Sequence, residues 1–121
     1  IVGPTEYADD LIRSQAFGLP GGRRIQVRRH AAAEVPASAC DVVYLGMLDD
    51  AGWQTVFRRL AGRPVLSIGE RREQCQAGGM FCLDVREREL GFEVNLDSVA
   101  RSGLRIHPQV LQLARRKARA P

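Results

Sequence analysis

The chain has 121 residues, of which 45 % are apolar, so it can bury the core of one domain and is not a disordered tail. The net charge is +4 but aromatics make up only 6 %, and the arginines are scattered pairs with Lys117 as the sole lysine, which disfavours a nucleic-acid surface of basic side chains and stacking rings. No apolar run reaches the roughly 18 residues of a membrane span.

Ile1-Val2-Gly3-Pro4 reads as the end of a buried strand that stops at a turn. A domain rarely begins in mid-strand, so a preceding segment that includes a signal peptide is expected. Thr5 is placed to cap a helix running to Ala16, with Tyr7, Leu11 and Ile12 toward the core. Gly18-Leu19-Pro20-Gly21-Gly22 breaks that helix, and Ile25-Gln26-Val27-Arg28 alternates as a half-exposed strand. Ala31 to Cys40 is a loop or a short helix. Asp41-Val42-Val43-Tyr44-Leu45 is a continuous apolar run, as in a strand covered on both faces.

Asp49 or Asp50 then caps a helix carrying Trp53, Val56, Phe57 and Leu60, with Gly62 just past its end. Pro64 to Ile68 is a second buried strand, and Glu70 to Ala77 is a polar connection with room for one helical turn. A hairpin follows, with strands on either side of Arg86-Glu87-Arg88-Glu89. Asp97 is read as the cap of a short helix stopping at Gly103. Leu104 to Ile106 is extended, and Pro108 opens a last helix, Gln109 to Ala118. The order predicts a single α/β domain over 1–121. Its mixed sheet has a parallel portion and an antiparallel edge hairpin, flanked by helices.

Catalytic chemistry finds little footing. Gly18 to Gly22 lacks the strand-to-helix setting of a phosphate loop, and Gly78-Gly79 leads into a strand. Ser67 has no nucleophile elbow around it, and the acidic pairs Asp9/Asp10 and Asp49/Asp50 read as helix N-terminal charges. No catalytic residues and no cofactor are assigned. Cys75 and Cys82 are spaced too widely for a zinc knuckle, so no metal site is assigned, and a disulfide is the better reading. Closing that short loop stabilises by about 2–3 kcal/mol in an oxidising compartment. Cys40 is then either a buried small hydrophobe or a thiol whose partner lies elsewhere.

Contact chemistry remains. With Cys82 and Val94 toward the core, Phe81 and Glu93 face the other way, as a partner-binding patch or as a surface under a helix. Arg105 and His107 form either a site for a small anion or solvated surface.

Several blocks together resemble the YfiR family. They are Cys40-Asp41-Val42-Val43-Tyr44-Leu45-Gly46, Gly62-Arg63-Pro64-Val65-Leu66-Ser67-Ile68-Gly69, Gly78-Gly79-Met80, Gly91-Phe92-Glu93-Val94-Asn95-Leu96 and Arg101-Ser102-Gly103-Leu104. The match spans essentially the whole chain, and family members carry an extra N-terminal helix and a signal peptide before the first strand.

The resemblance implies a periplasmic α/β protein, often dimeric, that inhibits a membrane-bound diguanylate cyclase (YfiN type) through its periplasmic sensor domain. It thereby controls cyclic-di-GMP and biofilm formation. An outer-membrane lipoprotein (YfiB type) relieves the inhibition. The resemblance also implies a redox-sensitive Cys75–Cys82 disulfide, with Cys40 paired to a cysteine near the start of the first strand. Ile1 and Val2 occupy that strand here, which leaves Cys40 as a free thiol or as one able to pair between chains. Phe81, Glu93 and the nearby Val99 are the expected partner contacts. The alternatives are a small-molecule-binding domain using Arg105 and His107 and, ranked last for want of a Cys-x-x-Cys setting, a thiol oxidoreductase.

Overall fold

The structure is a computed structural model and describes residues 1–6, 8, 16–18, 24–36, 39–86 and 89–112. Strands β1 (Ala16–Gly18) and β2 (Arg24–Gln26) form a small antiparallel ribbon. The main sheet has the order β3-β4-β5-β6, with β3 Val42–Leu45, β4 Leu66–Gly69, β5 Phe81–Arg86 and β6 Glu89–Val94. The first three run parallel, and β5 and β6 form an antiparallel hairpin at the edge. The fold is thus α/β with a mixed sheet.

Helix α1 (Asp50–Leu60) carries the crossover from β3 to β4. Asp49 caps it by accepting the Gly52 amide at 2.7 Å, and Gly62 follows its end with φ +72°. One helical turn, α2 (Glu73–Gln76), lies between β4 and β5, and α3 (Leu96–Ser102) follows β6 and stops at Gly103, φ +77°. Residues 108–112 are helical; the rest of the expected last helix lies outside the described residues.

Register divides the sheet into two unequal faces. Val43 sits beside Ser67, Leu45 beside Gly69, Gly69 beside Cys82, and Cys82 beside Glu93. The first five of these are buried, and Val43 and Leu45 share a core with Val56 and Leu60 of α1 and with Val2, Val35 and Val65. The opposite face carries Val42, Tyr44, Leu66, Ile68, Phe81, Leu83, Phe92 and Val94; Phe81 alone of these is buried, and Val42 is 50 % exposed. The apolar run at β3 is therefore closed on one face rather than on both.

One segment departs from the sequence reading. Ala16 opens a strand, so no helix runs through it, because Ala16 and Phe17 pair with Gln26 and Ile25. Thr5 Oγ1 accepts the Ala8 amide at 3.2 Å, as a cap would, but Tyr7, Leu11 and Ile12 lie outside the described residues. The N-terminal fragment does join the sheet beside β3. Val2 N donates to Tyr44 O, Gly46 N donates to Val2 O, and His30 N donates to Ile1 O, each at 2.9 Å. Gly46 permits that approach, since a Cβ there would collide with the Pro4 carbonyl.

Candidate functional site

The hairpin, α2 and α3 meet around one covalent bond. Cys75 of α2 and Cys82 of β5 are joined as a disulfide with Cα atoms 5.8 Å apart, and both residues are buried. Ser67 Oγ accepts the Met80 amide at 2.9 Å, which fixes the hairpin entry to β4 and leaves that hydroxyl in a structural role. Gln74, fully buried, anchors α2: its Oε1 accepts the Arg71 amide at 2.9 Å, and its Nε2 donates to the carbonyls of Gly46 and Leu45 at 3.2 and 3.4 Å.

Asn95 begins α3. Its side-chain oxygen accepts the Ser98 amide at 3.1 Å, and its Nδ2 donates to Cys75 O at 2.8 Å. The sequence reading placed the cap at Asp97, which lies inside the first turn. The Asn95 amide accepts at the helix end with one atom and donates to the cysteine carbonyl with the other, whereas a carboxylate has no hydrogen to give. Asn is a residue type favoured at helix caps, which is the one local signal for Asn95; its tie to Cys75 has none.

The hairpin register overturns the expected pairing of Phe81 with Glu93 on one face. Phe81 pairs with Val94, and Cys82 pairs with Glu93. A one-residue slip in an antiparallel pair exchanges faces, and here Arg86 opposite Glu89 sets the register. Phe81 is buried, not an exposed patch, and its ring lies 5.8 Å from that of Phe92.

Glu93 is on the other face with Cys82 and Asp84. Arg72 Nε approaches Glu93 Oε1 at 2.8 Å and Asp84 Oδ2 at 3.9 Å. The Glu93 side chain stays about a third exposed (34 %), so the pair remains open to a partner. Val99, half-buried, lies one helical turn beyond the exposed Leu96 on α3. Arg72 was missed because its partner is 21 positions away.

The remaining candidates stand apart from this cluster. Arg105 and His107 are both exposed, and His107 Nδ1 accepts the Gln109 amide at 3.1 Å, a helix-capping role. Cys40 is a free, half-buried thiol packed on the core. Burial holds the Ile1 ammonium below its ordinary pKa, while Cys40 acts to raise it and Arg29 to lower it further. Cys40 is therefore close to the start of the first strand. Among the described residues no group of three or more His, Cys, Asp or Glu is placed to hold a metal, and no buried polar side-chain atom lacks a partner.

Motif order, strand topology and the stapled hairpin agree with one family assignment. The family model described as YfiR/HmsC-like matches residues 1–115, and the chain belongs to that family.

Proposed function

We propose that the protein is a periplasmic, non-enzymatic repressor of cyclic-di-GMP synthesis and so of biofilm formation. It binds the periplasmic sensor domain of a membrane diguanylate cyclase of the YfiN type and favours the inactive cyclase. An outer-membrane lipoprotein of the YfiB type competes for it, and the repressor works as a homodimer. The observation that carries this reading is the family match over residues 1–115. The stapled hairpin supports it, since a disulfide persists in an oxidising compartment. No helix among the described residues is long and apolar enough to cross a membrane.

The contact surface is built from Glu93, Val99 and the exposed Leu96, with Phe81 as the support beneath the hairpin rather than as a contact. Arg72 holds the Glu93 carboxylate in place for a basic group on the cyclase. The test is biolayer interferometry against the isolated sensor domain of a cognate cyclase. Saturable micromolar binding is expected, weakened about tenfold or more by Glu93→Lys and by Val99→Asp. Absence of association at high micromolar concentration, with the chain folded and oxidised, overturns the reading.

A further inference from the structure

A groove of about 460 Å³ opens between the end of α1, the start of the hairpin and α3, a volume suited to a small organic ligand. It includes neither Arg105 nor His107, and no residue of the partner surface proposed above. Its floor is apolar. Leu60, Val65 and Met80 are buried there, and the Phe57 ring packs within 3.4 Å of the Cβ position of Gly78. Its rim is cationic, with Arg58, Arg63 and Arg101, all exposed, and no aspartate or glutamate lines it.

The three guanidiniums have no carboxylate partner among the described residues; Arg58 Nε reaches only the Gln54 carbonyl, at 3.4 Å. Arg58 and Arg101 stand in the last turns of α1 and α3, where a cation complements the helix dipole. Each helix end carries about half a negative charge, so two ends offset roughly one of the three positive charges and about two remain. An apolar floor under an uncompensated basic rim is complementary to a molecule with an apolar body and an anionic head.

We propose that this groove binds a small amphipathic carboxylate, with its hydrocarbon part on Phe57, Leu60, Val65 and Met80 and its carboxylate on Arg63 and Arg101. On α3, Ser98, Arg101 and Ser102 face the groove at i, i+3 and i+4, and Leu96 and Val99 fall on another side of the helix. The site is thus distinct from the partner surface, and its occupancy does not depend on the repressor reading.

The test uses the full 121-residue chain and three probes with one tail and different heads: octanoate, octanol and octylammonium. Methyl-detected NMR titration is expected to show saturable octanoate shifts at Leu60, Val65 and Met80, with octanol about tenfold weaker and octylammonium weaker still. Arg63→Gln with Arg101→Gln is expected to weaken octanoate about tenfold or more without changing octanol binding, because both side chains are exposed and the fold does not rest on them. Equal binding of octanoate and octanol, indifference to the double substitution, shifts confined to another surface, or no saturable binding each overturns the proposal. So does burial of the groove in a dimer, read by light scattering together with loss of these shifts.

Discussion

Gln74 shows how much one side chain can hold and how little of that is written locally. It lies in a polar connection with no apolar periodicity, so nothing in the sequence marks it as buried. It fits because Gly69 and Gly79 have no side chains: a Cβ on Gly69 would collide with the Gln74 side chain, and one on Gly79 would lie 2.9 Å from the Gln74 carbonyl oxygen. Its amide then links the backbone before α2 to the end of β3. Gln74→Ala is expected to cost about 2–4 kcal/mol in urea unfolding, since it leaves a cavity and removes three hydrogen bonds. Gln74→Glu is expected to cost at least as much at neutral pH, because a carboxylate cannot donate to the carbonyls of Leu45 and Gly46. Phe81 was misplaced for a related reason: alternation gives two faces, and only the pairing partner says which one is covered.

At the level of elements, the strands of the main sheet, α1 and the hairpin were readable because each has a periodicity, a cap or a glycine at its end. Register was not readable, since Arg86 opposite Glu89 is a property of the folded pair. The ribbon was half missed: Ala16–Gly18 is too short to show a period and follows a plausible helix start at Thr5. The disulfide gives a direct prediction. Alkylation of the oxidised, denatured chain should label one thiol, Cys40, and labelling after reduction should add Cys75 and Cys82. Cys75→Ser with Cys82→Ser is expected to lower stability by about 2–3 kcal/mol. Asn95→Ala should cost about 1–2 kcal/mol, and Asn95→Asp should keep the Ser98 contact while losing the bond to Cys75, which a double-substitution cycle can separate.

For the molecule as a whole, the sheet protects one side and leaves the other partly open. Amides of β3 to β5 beside Leu45 and Cys82 are expected to exchange slowest, at the global unfolding limit, and those of Ala16–Gly18 at least about tenfold faster, because a three-residue two-stranded ribbon is only marginally stable. Mass-spectrometric hydrogen exchange reads this directly. The α/β class, the parallel portion and the edge hairpin followed from the succession of apolar runs and crossovers, whereas the unequal faces depend on which helices land where. The bond from Asn95 Nδ2 to the Cys75 carbonyl carries a further consequence. It ties the first turn of α3 to a residue 20 positions earlier that is itself anchored by sulfur. Reduction of that sulfur bridge would leave the Cys75 peptide group held by the Gln74 anchor alone, so the seat of this short rod is expected to loosen, which faster amide exchange at Leu96 to Val99 in the reduced chain would reveal.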